Sequence, residues 1–169
     1  TWAKTIAGLS PKCSVDVNLK TRLVGSERNK WAVVMECMRE DAIVYSFGLG
    51  RDVMFELKML PKARKVVGFD PTPLSAEWLE RQSFPPGFEW YEVGISNQNE
   101  QRPIFSPKEE GNVSYSINVS MDTVSDAGRG RGSGNQHVAK FRTLESMMAM
   151  LGDSDIDLLK MDIEGAEYD

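Results

Sequence analysis

What most constrains this chain is a set of short apolar runs, clearest in AIVYSF and KVVGFD, where hydrophobic residues do not alternate with polar ones. A strand exposed on one face alternates, whereas a strand covered by helices on both faces has no polar side. The runs are separated by stretches with apolar residues at helical spacing. VMFELKML ends at Pro61, PLSAEWLERQ follows Thr72, and TLESMMAML lies between Thr143 and Gly152. Proline stops the first, Thr72 or Ser75 opens the second, and Thr143 and Gly152 suit the two caps of the third. Strands over 42–47, 65–70, 88–94 and 156–162, with helices near 53–60, 74–82 and 142–151, give an α/β fold. The expected parallel sheet order is 3-2-1-4, of the open Rossmann-like kind.

Residues 1–40 read as an N-terminal lead-in, and 41–169 as the organised domain. In the lead-in, WAKTIAGLS suits a short helix before Pro11, and KWAVVMECM a strand or helix packed on the main sheet. Trp2 and Trp31 read as packing residues. After Ser96 the pattern weakens into a polar stretch with two prolines. YSINVSM suits an antiparallel edge strand, and SDAGRGRGSGNQ a flexible linker.

Twenty Lys and Arg against 25 Asp and Glu leave a net charge of −5, which disfavours wrapping of a nucleic-acid backbone. Two cysteines, Cys13 and Cys37, make one bridge at most. With a single histidine, His137, they are too few for a structural zinc site. No apolar stretch reaches the length of a membrane-spanning helix, and the first residues lack the apolar core of a signal peptide. Asn112 and Asn118 head glycosylation sequons that carry meaning only in a secreted chain, so the compartment stays open.

Two features mark a site at the carboxyl ends of the strands. VYSFGLG places Gly48 and Gly50 where the first strand turns into its helix. Glycine lets a ligand approach the backbone there, and the free N–H groups of the helix start face it. Asp70 follows Gly50 by 20 residues, at the tip of the second strand, where a carboxylate can accept from two ribose hydroxyls. Val53 stands where a dinucleotide fingerprint wants its third glycine, so the turn suits an adenosine ligand without a pyrophosphate, such as S-adenosylmethionine. The last run supplies Lys160, Asp162 and Glu164 on one side of a strand, with Gly165 beside them. Three charged groups inside a covered sheet are costly unless paired or opened to the crevice.

VYSFGLGRDVMFE, VVGFDPTP, FRTLESMM and especially DLLKMDIEGAE resemble the FkbM-type family of S-adenosylmethionine-dependent methyltransferases, in its "VYSFG" branch. The resemblance covers roughly residues 41–169. It implies a class I methyltransferase fold, whose seven-stranded sheet this chain leaves after the fourth strand, as a fragment would. It also implies transfer of a methyl group from S-adenosylmethionine to a hydroxyl oxygen of a small molecule or sugar. Gly48 and Gly50 would then line the methionine and ribose, Asp70 would bind the ribose hydroxyls, and the Lys160–Gly165 segment would border methyl transfer. Asp162 or Glu164 is the candidate base, with Lys160 beside them and His137 a further candidate. A metal held by the carboxylates would serve the same end, but clustered acids alone assign no metal site. Two other classes stay open: an NAD-binding oxidoreductase domain, against which Val53 and KMDIEGAE speak, and a non-catalytic RNA- or protein-binding module using RGRG, against which the net charge and the lack of interleaved aromatics speak. DNA is not an expected partner.

Overall fold

The computed structural model describes residues 20–106 and 136–163. The N-terminal helix, the YSINVSM strand, the glycine-rich run, both sequons, Glu164 and Gly165 lie outside the described residues.

Four of the expected strands form one parallel sheet. β3 (Ile43–Phe47) pairs with β4 (Lys65–Phe69) on one side and β9 (Leu158–Met161) on the other, and β4 pairs with β5 (Phe88–Tyr91). The order β5-β4-β3-β9 is the expected 3-2-1-4. β3 is buried along its whole length, which is why its sequence shows no alternation. Val44 and Val66 pack on one face with Phe55, Met59 and Leu79. These come from α1 (Met54–Met59) and α2 (Pro73–Glu80). Ile43, Tyr45, Phe47, Val67 and Phe69 pack on the other face against Met147 of α3 (Leu144–Leu151).

The helix ends follow local chemistry. Thr143 caps α3 by accepting from the Ser146 amide at 3.2 Å, and Gly152 closes it at φ 71° in the left-handed region. α2 starts after Thr72 with Pro73 at its first position.

Among the described residues, five further strands lie outside this sheet. β1 (Arg22–Gly25) and β2 (Lys30–Val33) form an antiparallel hairpin whose Val24 and Val33 join the core beside α1. Lys58 of α1 donates to the Gly25 carbonyl at 2.7 Å and ties the hairpin down. Val24 and Val33 of the lead-in therefore belong to the main core. A second sheet, β6-β8-β7, joins β6 (Gly94–Ile95), β8 (Gln136–Arg142) and β7 (Glu100–Phe105). His137 sits within β8 opposite Ile104.

The amino ends of the strands are held by ion pairs. Asp157 accepts from the Ile43 amide at 2.8 Å and from Arg39 Nε at 2.6 Å, and Arg39 also pairs with Asp155. On the α3 side, Asp153 accepts from the Tyr45 hydroxyl at 2.6 Å and from Lys65 at 2.8 Å. Burial, then the bond to Asp153, pushes the Tyr45 hydroxyl far above an ordinary phenol. Burial alone would raise the Asp157 carboxyl, but the bonds from Arg39 and Ile43 and the Arg39 charge outweigh it, so it titrates below its ordinary value. A carboxyl lowered by folding stabilises the fold above its unfolded pKa of ~3.9, and that contribution vanishes as pH falls through the lower folded value. Asp157→Asn is expected to cost about 1 kcal/mol at neutral pH, kept small by the half-exposed Arg39. The variant's stability is also expected to fall less than the wild type's below about pH 4. Urea melts of both proteins across acid pH check this; parallel pH profiles would exclude Asp157 as the source.

Candidate functional site

β3 ends in a turn shaped by two glycines. Gly48 has φ 79° and Gly50 φ 56°, both in the region that side chains disfavour. At Gly48 a Cβ would stand 1.9 Å from the Asp162 carbonyl oxygen, so the turn and the end of β9 touch backbone to backbone. Both are hydrogen-bonded onto the sheet: Gly48 N donates to Phe69 O at 2.9 Å, and Asp162 N to Phe47 O at 3.0 Å. Leu49 turns inward and lies over Gly68, where a Cβ would meet its methyls at 2.7 Å.

Asp70 lies beneath this turn. One carboxylate oxygen accepts from the amides of Leu49 at 2.9 Å and Gly50 at 2.8 Å. The other accepts from the Thr72 amide at 2.9 Å and from the Thr72 hydroxyl, which also meets Ser75. Only 4% of Asp70 is exposed. A carboxylate offers about four acceptor positions, and here the chain's own donors engage all four. The sequence placed Asp70 at the right strand tip. The carboxylate expected to face the crevice and accept from ribose hydroxyls is instead taken up by the amides of the glycine turn and by Thr72.

A pocket opens beside the turn, lined by Asn29, Trp31, Gly48, Leu49, Asp52, Phe55, Lys160 and Asp162. Gly48, Lys160 and Asp162 line it together; Gly50 and Asp70 support the turn but do not line this pocket. Glu164 lies outside the described residues, and His137 stands in the second sheet rather than at the pocket. Arg51 is exposed.

Lys160 lies on the α1 face of β9, opposite Ser46 of β3. Its ammonium donates to the Gly48 carbonyl at 3.1 Å and reaches Glu56 of α1 at 3.5 Å. Trp31 and Phe55 present their ring faces to it, at 5.2 and 5.7 Å from the ring centroids. Lys160 is 8% exposed and therefore a held group, while Asp162 at the strand tip is exposed.

Sequence reasoning missed Asn29, Asp52 and Glu56. Asn29 comes from the hairpin turn and bonds Asp52 at 3.5 Å, a contact between segments with no shared motif. Trp31 does both jobs: it packs against the core and walls the pocket.

Residues 43–169 match the family model of the methyltransferase FkbM domain. The chain belongs to the FkbM methyltransferase family. Membership supports S-adenosylmethionine-dependent methyl transfer in general. No curated protein and no solved structure matches the chain. The hairpin residues Asn29 and Trp31 precede the matched region, so part of the pocket wall in this FkbM-family chain comes from outside the family domain. Among the described residues, no group of three or more His, Cys, Asp or Glu is placed to hold a metal, and no helix is long and apolar enough to cross a membrane.

Proposed function

We propose that this chain binds S-adenosylmethionine at the glycine turn and transfers its methyl group to a hydroxyl oxygen of a small molecule or sugar, on a Rossmann-like class I methyltransferase sheet. The observation that carries the reading is the junction of Gly48 with Asp162 at the carboxyl end of the central strand. It sets the family's two motifs against one pocket. In open α/β sheets such crevices are where ligands bind.

The donor set suits this cofactor. Its ammonium cation matches the carboxylate of Asp52, and its carboxylate matches Asn29 and Lys160. When bound, S-adenosylmethionine supplies an activated methyl on a sulfonium. The chain's own task is then to align the acceptor and remove its proton. Asp162 is assigned as the base that takes the hydroxyl proton, being the exposed carboxylate at the strand tip. Glu164 is the second acid of the same motif. Lys160 holds the Gly48 carbonyl and sets the charge of the pocket wall. Gly48 and Gly50 give the turn its shape. Asp70 serves cofactor binding through the amides it orients.

Calorimetric titration with S-adenosylmethionine, its demethylated product and NAD tests the reading. Saturable binding of the first two without NAD is expected; NAD binding alone would replace it with a dinucleotide domain. Asp162→Asn is expected to retain cofactor affinity within about threefold while methyl transfer falls roughly 10²-fold or more, the scale of a lost general base. Full transfer in that variant would remove Asp162 from the base role.

A further inference from the structure

Glu56 sits in the middle of α1, in the run VMFELKML, where a glutamate ordinarily faces water. Here it is wholly buried, at 0% exposure. Its Oε1 accepts from the Ser46 hydroxyl and faces the Lys160 ammonium at 3.5 Å. Its Oε2 has no hydrogen-bond partner among the described residues. A buried carboxylate with one oxygen unmatched is costly, and an apolar residue of similar volume would fill the space with less penalty. Burial of this kind calls for a role other than stability. Lys160 is itself buried, and among the described residues its ammonium meets Glu56 and the Gly48 carbonyl.

We infer that Glu56 is a positioning residue for the methyl-donor site. Its charge holds the Lys160 ammonium in place, and the ammonium fixes the Gly48 carbonyl, which keeps the glycine turn seated against Asp162. The chain of contacts is continuous: Ser46 on β3 orients Glu56, Glu56 faces Lys160 on β9, and Lys160 joins the end of β9 to the turn that follows β3. Trp31 and Phe55 close around the ammonium, so water is a poor substitute for the carboxylate. Glu56 does not line the pocket and acts only through Lys160. The inference rests on the function proposed above only for the ligand that reports it.

Two variants of the intact protein test it. Glu56→Gln preserves the shape and a partner for Ser46 but removes the charge. Glu56→Leu combined with Lys160→Met replaces the buried pair by apolar groups of similar volume, which commonly restores folding. The melting temperature of the double variant is expected to match or exceed that of the wild type. Amide exchange at Gly48, Leu49, Gly50 and Asp162 is expected to quicken about tenfold or more in both variants, and the Kd for S-adenosylmethionine to rise by about tenfold. A double variant that is stable, slow to exchange at these four amides and tight-binding would overturn the inference and leave the pair as packing. If Glu56→Gln fails to fold, the double variant decides through amide exchange, because Lys160 itself lines the pocket and its loss acts on the Kd directly. If the wild type does not bind S-adenosylmethionine, the functional proposal fails, while the amide-exchange contrast still decides the role of Glu56.

Discussion

Replacing Gly48 by alanine is expected to be the most damaging single change at the site, abolishing measurable S-adenosylmethionine binding and destabilising the protein by about 4 kcal/mol or more. Two independent costs combine. At φ 79° any side chain is strained, by roughly 1–2 kcal/mol. The new methyl would also lie 1.9 Å from the Asp162 carbonyl oxygen and 2.8 Å from its carbonyl carbon. Those atoms are backbone, and they are held by the Asp162 amide's bond to Phe47. No rotamer change relieves the overlap, so the end of β9 must move away from β3. That displacement pulls Asp162 from the pocket and breaks the Lys160 contact to the Gly48 carbonyl. Gly152 is the control. It also has positive φ, at 71°, but a Cβ there meets nothing within 4 Å. Gly152→Ala is expected to cost about 1 kcal/mol and to leave cofactor affinity unchanged. Denaturant melts and titrations of the two alanine variants separate strain at a cap from collision at the site; equal losses in both would show that φ alone governs the effect.

The parts of this fold legible in the sequence are those fixed by burial. AIVYSF and KVVGF lie wholly or almost wholly inside, so their composition had to be apolar on both sides. The second sheet was not legible for a different reason. β7 carries Pro103 and alternates exposed with half-buried residues, as an edge strand can, because the missing N–H is not required by a neighbour. β8 follows a glycine-rich run, and its HVAKFR segment buries only Ala139 and Phe141 fully, too few to announce a strand. At the site, chain spacing put Gly48, Asp70 and Asp162 at strand tips, where they stand. Spacing could not reveal which donors take up a carboxylate. Asp70 is engaged by amides 20 and 21 residues earlier. Glu56 is buried because a lysine 104 residues away in sequence reaches it. Both are long-range facts, created by packing rather than by local pattern.

Asp70→Ala is expected to show the second-largest effect and to reveal how a residue that the chain itself occupies serves the ligand. Removing the carboxylate leaves the amides of Leu49 and Gly50 without their acceptor and frees the Thr72 amide and hydroxyl as well. Charged acceptors contribute about 1.5–3 kcal/mol per bond, and a buried donor left unpaired costs on a similar scale. Partial access of water to half-buried Gly50 moderates the sum, so a stability loss of about 3 kcal/mol is expected. Affinity for S-adenosylmethionine is expected to fall by about 1–3 kcal/mol beyond what partial unfolding explains, because the turn loses the group that aims its amides. Thr72→Val isolates the two halves of the carboxylate. It deletes the hydroxyl that meets the other oxygen but leaves the bonds to Leu49 and Gly50, so it is expected to lower stability by about 1 kcal/mol with little change in affinity. Should Thr72→Val weaken binding as much as Asp70→Ala does, the carboxylate would be acting through its Thr72 side, and the role assigned to the turn amides would be withdrawn. Retained affinity in Thr72→Val with loss in Asp70→Ala ties cofactor binding to the oxygen beneath Leu49 and Gly50.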